Sequence, residues 1–182
     1  MSAPRVALLT GRSDPRRTGL PPAQAAFLAA VTPPAAVALA DGYPWTGGLP
    51  ERPVPLPLAA WRNARHWQAA RSGAARDEVA GRLAAIRGGP LAIITGSCGL
   101  DLLACGWSEG TCDLVIALGP VMPARPTLPG ARLMTVIGHR DGLSRALHRA
   151  SPDLCVPCGH MGYWDCPATR RAVADILQDW RP

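Results

Sequence analysis

Six short apolar runs, each closed by turn-forming residues, set the tightest limit on what this chain can fold into: VALLT (6–10), AVALA (36–40), LAIIT (91–95), DLVIAL (113–118), RLMTVI (132–137) and DLCVP (153–157). Each has the length of a strand and is apolar almost throughout, the pattern of a strand buried on both faces. The segments between them carry helical spacing: Ala23 to Val31, Leu58 to Ile86, Leu100 to Trp107, Ser144 to Ala150 and Thr169 to Trp180. Strand alternating with helix implies an α/β fold, a mostly parallel central sheet of about six strands with helices on both faces. The 182 residues read as one domain over 1–182, since that length builds one core comfortably and two poorly. In such a sheet ligands gather at the carboxyl ends of the strands, so chemistry is sought there.

Composition narrows the function classes. No apolar run approaches the roughly 18 residues of a membrane helix. The opening MSAPRVALLTGRSD meets Arg12, Asp14, Arg16 and Arg17 too early for a secretory signal, so cytoplasmic residence is the expectation. Six cysteines in a chain of this kind are expected as free thiols. The formal charge is +6, but the arginines are scattered and aromatic residues make up only 5%, which argues against a nucleic-acid surface. Neither a nucleic acid nor a membrane is expected as a partner.

The third apolar run leads into LAIITGSCGLD (91–101), where a strand ends in small residues and a helix begins. A corner of the form small-x-nucleophile-x-small forces the central residue into a strained conformation and lifts its side chain above the sheet. Two registers fit. Centred on Ser97, the flanks are Thr95 and Gly99; centred on Cys98, they are Gly96 and Leu100. A branched Leu at the second flank would press on the opening turn of the helix, so sterics favour Ser97, and Cys98 remains the alternative nucleophile. In the serine register the Cys98 amide, at the amino end of the next helix, faces the place where an oxyanion would form.

A serine hydroxyl needs a base to take its proton, and a histidine base needs an acid to orient it. After RLMTVI comes Gly138-His139-Arg140-Asp141-Gly142, which sets Asp141 just beyond a strand. After DLCVP comes Cys158-Gly159-His160-Met161-Gly162, which sets His160 just beyond the next. Asp113 stands at the start of a strand, the wrong end, and Asp101 belongs to the helix after the corner. His139 lies in the same loop as Asp141 and could line the site. His66 and His148 read as helix-surface residues. Tyr43 and Trp45, after the second run, and Trp164, past His160, are candidates to wall a substrate pocket, with core packing as the alternative for each.

The order Ser, Asp, His along successive strand ends resembles the α/β-hydrolase superfamily. VALLTGR resembles that family's first central strand and its His-Gly-type turn, with Thr10 at the His position and Gly11 matching. AVALADGYPWTGG resembles the following strand and its glycine-bearing loop, VIGHRDG the strand that delivers the acid, and CGHMGYW the Gly-His that delivers the base. The resemblance covers most of the chain. It implies a compact α/β-hydrolase that cleaves an ester or thioester through an acyl-enzyme. Ser97 would be nucleophile, His160 base and Asp141 acid, with the amides of Cys98 and Arg12 forming the oxyanion hole and Gly11 beside the substrate. No cofactor and no metal are required.

The family's lid position holds only GPVMPARPTLPG (119–130), which implies an open site for a small acyl substrate or an acyl chain on a carrier. A cysteine nucleophile, as in dienelactone hydrolases, would instead make Cys98 the centre of a thioesterase, acyltransferase or cyclase. A member of the fold that binds without catalysis is the third reading. A zinc site at Cys155-x-x-Cys158-x-His160 with Cys166 has spacing too short for finger geometry. Cys105, Cys112, Cys155, Cys158 and Cys166 are therefore expected as buried core thiols.

Overall fold

The computed structural model describes residues 2–11, 19–40, 55, 58, 61, 62, 64, 65, 68 and 73–181. Six strands form one sheet: β1 (Arg5–Thr10), β2 (Val37–Ala38), β3 (Leu91–Gly96), β4 (Leu114–Leu118), β5 (Arg132–Gly138) and β6 (Leu154–Val156). Their order is β2-β1-β3-β4-β5-β6, and every pairing is parallel. Among the described residues five helices accompany them: α1 (Pro22–Val31), α2 (Gly73–Ile86), α3 (Gly99–Cys105), α4 (Gly142–Leu147) and α5 (Pro167–Asp179).

The sequence pattern explains the layering. β3 and β4 are buried at every position, as strands covered on both faces must be. From β1 the chain steps outward to β2, then returns across β1 to β3 and proceeds the other way. Right-handed crossovers then put α1 on one face and α3 and α4 on the other. α1 packs against α5, and α2 packs against α3. α5 buries Thr169, Val173, Ile176 and Leu177, one stripe at helical spacing, which is what docks it on the sheet. Among the described residues no helix is long and apolar enough to cross a membrane.

Several expected boundaries shift, with physical reasons. The second run pairs only at Val37–Ala38, an edge strand whose further bonds run from Val37 N–H to the Pro4 carbonyl and from Leu39 N–H to that of Val6. Of the long helical segment from Leu58 to Ile86, continuous helix is described over Gly73–Ile86, and the described residues among 58–68 are also helical. The helix expected over Ser144 to Ala150 begins at Gly142 and stops at Leu147. His148 there turns extended and is buried, so it is not the helix-surface residue its spacing suggested. Cys155 is exposed, contrary to expectation, because β6 is the free edge of the sheet; Cys105 and Cys166 are half-buried, and Cys112 and Cys158 are buried as expected. His66 lies outside the described residues.

The strand order reverses between β1 and β3, and it is at the carboxyl end of the sheet at such a reversal that these folds take ligands. Thr10 and Gly96 are register partners there, the last pair before the two strands' loops diverge.

Candidate active site

Ser97 follows β3 directly and is the one non-glycine residue with positive φ among those described, at 54°. An L-residue in that region is strained and persists only where its surroundings hold it. Here both backbone groups are tied to the end of β4: Ser97 N–H donates to the Leu118 carbonyl (3.1 Å), and its own carbonyl accepts from Val121 N–H (3.1 Å). Gly99 makes the corner possible, because a Cβ there would collide with the Leu9 carbonyl of β1. Leu100 is buried in the core. Trp164 lies edge-on to Phe27, ring centroids 5.3 Å apart, and covers Gly96, so it packs behind the corner as core as much as wall.

The loops after β5 and β6 are laced together beyond their strands. His139 N–H donates to the Val156 carbonyl (2.8 Å) and Arg140 N–H to that of Cys158 (3.1 Å). A Cβ on Gly138 would run into the Cys158 carbonyl, which measures how closely the two backbones approach. This lacing sets Asp141 against His160. His160 Nδ1 stands 3.1 Å from Asp141 Oδ1 and 3.0 Å from Oδ2, and its Nε2 stands 3.2 Å from Ser97 Oγ. Three side chains from three strand ends thus form one hydrogen-bonded chain.

Asp141 is fully buried, which by itself pushes its carboxyl pKa up. Four hydrogen bonds outweigh that and hold it well below the usual carboxylate range: from His160, from the Ser144 amide, from Tyr163 and from the Ser144 hydroxyl. The Ser144 amide donates to Oδ1 at 2.9 Å, making Asp141 the cap of α4. Tyr163 Oη donates to Oδ2 at 2.7 Å and accepts from Gly138 N–H at 2.7 Å. Burial, then the bond to Asp141, pushes the Tyr163 phenol up, so it stays protonated and a donor. An ionised carboxylate accepts a hydrogen bond from the Nδ1–H of His160, which leaves Nε2 as acceptor for the Ser97 hydroxyl.

Cys98 is 6% exposed and sits at the cap of α3. Burial pushes its thiol up to about 11, against the lowering effect of its own amide and that of Gly11 and with the raising effect of Asp101. It is protonated at neutral pH, a poor nucleophile. Among the described residues the Cys98 amide makes no backbone hydrogen bond. The Gly11 backbone lies within hydrogen-bonding reach of the Cys98 thiol. Arg12, Tyr43 and Trp45 lie outside the described residues.

Asp113 is at the opposite end of the sheet, and Asp101 is in α3. His139 is exposed and joins no part of the Ser97–His160–Asp141 chain. Cys155 is exposed at the edge while Cys158 is buried within 3.8 Å of Thr169 Oγ1. Among the described residues no three His, Cys, Asp or Glu side chains gather as a metal site would need. Tyr163, Ser144 and Gly119 are functional neighbours that sequence reasoning misses. Gly119 has φ +53°, and a Cβ there would reach Tyr163 at 2.5 Å and Asp141 Oδ2 at 2.8 Å. A glycine closing β4 and a tyrosine three residues past the histidine are the available signals.

A solved structure from Xanthomonas campestris pv. campestris, assigned to the alpha/beta superfamily of hydrolases, superposes with a TM-score of 0.50 at 21% identity, covering 97% of this chain and 99% of that one. The chain has an α/β-hydrolase fold. Two further structures overlay less well: a Thermus thermophilus protein (TM-score 0.47, 17% identity, 98% of this chain and 90% of that one) and a carboxylesterase from Mesorhizobium loti (0.46, 20%, 98% and 88%). No protein-family model matches the chain, and no curated protein does. Within this fold, Ser97 stands at the corner between β3 and α3, Asp141 follows β5 and His160 follows β6.

Proposed function

We propose that this protein is a hydrolase of ester or thioester bonds that works through a covalent acyl-enzyme. The observation that carries the reading is the continuous chain from Ser97 Oγ through His160 to a buried, ionised Asp141. Ser97 Oγ attacks the acyl carbonyl as its proton passes to His160 Nε2, and the bond to the leaving oxygen or sulfur breaks as His160 returns that proton. Asp141 fixes the tautomer and stabilises the imidazolium. The Cys98 amide, with that of Arg12 as the expected second donor, holds the oxyanion. Water activated by His160 then releases the acid and restores Ser97.

The raised thiol of Cys98 and its 6% exposure favour hydroxyl over thiol chemistry. The connection from Gly119 to Ala131 carries no helix and turns Met122 and Leu128 into the core, which suits an open site for a small acyl group or an acyl chain borne on a carrier. The test is labelling by a fluorophosphonate probe in wild type, Ser97→Ala, His160→Ala and Cys98→Ala. Labelling is expected in wild type and Cys98→Ala and lost in Ser97→Ala. Labelling that survives Ser97→Ala and vanishes in Cys98→Ala would move the chemistry to the thiol; no labelling of wild type by this probe or by a cysteine alkylator at the site would leave a binding protein.

A further inference from the structure

Outside the Ser97–His160–Asp141 chain, two free cysteines meet where α5 begins. Cys166 is half-buried and occupies the cap position of that helix, while Cys158, 4% exposed, lies after β6 in the loop that also carries His160. Each thiol is within hydrogen-bonding reach of the other. The buried Thr169 hydroxyl, in the first turn of α5, serves both: it stands 3.8 Å from Cys158 Sγ and lies within hydrogen-bonding reach of the Cys166 thiol.

The start of the helix makes the two sulfurs unequal. Pro167 stands at the first helical position and has no N–H, so the amides of Ala168 and Thr169 are the first donors at the positive end of α5. The Cys166 side chain closes no capping hydrogen bond of fixed geometry, which leaves its sulfur free to react. Burial alone would push the Cys166 thiol up, but the Thr169 hydroxyl, the amides of Thr169 and Ala168 and the Cys158 thiol outweigh it, and the net direction is down. At Cys158 burial pushes the thiol up, against the Thr169 hydroxyl and with the charges of Cys166 and Asp141. The pair thus enriches thiolate on the more accessible sulfur and keeps the proton on the buried one. A thiolate beside a second thiol is the arrangement that oxidation converts into a disulfide.

We propose that Cys166 and Cys158 form an oxidation site for hydroperoxides, with Cys166 as the attacking sulfur and Cys158 as the sulfur that resolves it into a disulfide. Cys166 Sγ attacks the terminal peroxide oxygen, the O–O bond breaks, and the alcohol, or water from hydrogen peroxide, leaves; Cys166 is then a sulfenic acid. Cys158 Sγ attacks that sulfur, the S–O bond breaks, and water departs with the Cys158 proton. One peroxide is reduced by two electrons and the two thiols are oxidised by two. The bridge ties the loop that carries His160 to the start of α5. Its formation does not depend on acyl chemistry at Ser97.

The experiment treats the reduced protein with an equimolar amount of tert-butyl hydroperoxide, blocks the remaining thiols with iodoacetamide at timed intervals, then reduces and labels with N-ethylmaleimide. Mass spectrometry of the peptides reads which cysteines had been oxidised. Cys155 is the internal comparison, since it is more exposed than Cys166. Cys166 is expected to be oxidised about tenfold faster than Cys155, with Cys158 lost in step with it. In Cys166→Ser, Cys158 should stay reduced. In Cys158→Ser, Cys166 should stop at the sulfenic acid, which dimedone traps. The wild-type time course stands without either variant: oxidation of Cys155 as fast as Cys166, or of Cys166 with Cys158 left free, would overturn the proposal. So would oxidation of Cys158 at the wild-type rate in Cys166→Ser.

Discussion

Both ends of this sheet are pinned by aspartates, and the two ends use them differently. At the amino end Asp113 Oδ2 accepts from Leu91 N–H (2.8 Å), and Asp153 Oδ2 accepts from the amide and the hydroxyl of Thr135 (2.7 and 2.8 Å), with Arg125 at 3.0 Å. Those carboxylates bridge one strand start to its neighbour. At the carboxyl end Asp141 takes a single backbone amide, that of Ser144, and gives its remaining capacity to the side chains of His160, Tyr163 and Ser144. A carboxylate spent on backbone holds strands in register. One spent on a titratable ring can support a proton's movement between Nε2 and a hydroxyl.

The largest separation between the two ends should come from Asp141→Asn. The amide cannot accept at both former oxygen positions, and its NH2 group would drive His160 into the tautomer that presents a proton to Ser97. Fluorophosphonate labelling, and hydrolysis of an activated ester if the proposed chemistry is right, should fall about 10⁴-fold, with a smaller loss of Tm. A labelling rate within tenfold of wild type would show that Asp141 does no more than its counterparts at the amino end.

Gly119→Ala ranks next. The added Cβ would meet Tyr163 and Asp141 in a conformation that L-residues avoid, so the Tyr163–Asp141 bond must lengthen. Labelling is expected to drop about tenfold, alongside a stability loss of about 1–3 kcal/mol in urea unfolding. Stability lost with labelling intact would make Gly119 a turn glycine only.

The two ends also differ in how much of their structure the amino-acid sequence makes legible. Parallel strands buried on both faces announce themselves as apolar runs, so β1, β3, β4 and β5 are legible nearly to the residue. Residues that follow strand ends come together by topology alone, which is why Ser97, Asp141 and His160 are legible as a set. Contacts made by loops folding onto loops are not. Tyr163 reaches Asp141 only because the β5 and β6 loops are laced at His139 and Arg140, and no local pattern encodes that lacing. The expectations for His148 and Cys155 fail for a related reason: spacing does not say that α4 ends at Leu147, nor which strand is left at the edge.

At the amino end, Asp153→Ala should cost about 1–3 kcal/mol, since it leaves the buried Thr135 amide and hydroxyl without their acceptor. Labelling of Ser97 should not change. A labelling defect comparable to that of Gly119→Ala would mean that register at one end governs geometry at the other, and the division of labour would fail.

The smallest effect is one of pH. Burial raises the carboxyl pKa of Asp153, but the bonds from Thr135 and then Arg125 prevail, and the net direction is down. A folded-state pKa below the unfolded value of about 3.9 stabilises the fold fully above that value, and the gain is lost as pH falls through the folded pKa. Wild type should therefore lose stability between about pH 6 and pH 3. Asp153→Asn, which has nothing to protonate, should lose less over the same interval, although it starts lower. The flattening should be partial, because Asp141 is shifted in the same direction and still titrates in that variant. Urea midpoints at the two pH values for wild type and Asp153→Asn read this directly. Parallel losses would show that Asp153 is no better stabilised in the fold than in the open chain, in contrast to Asp141.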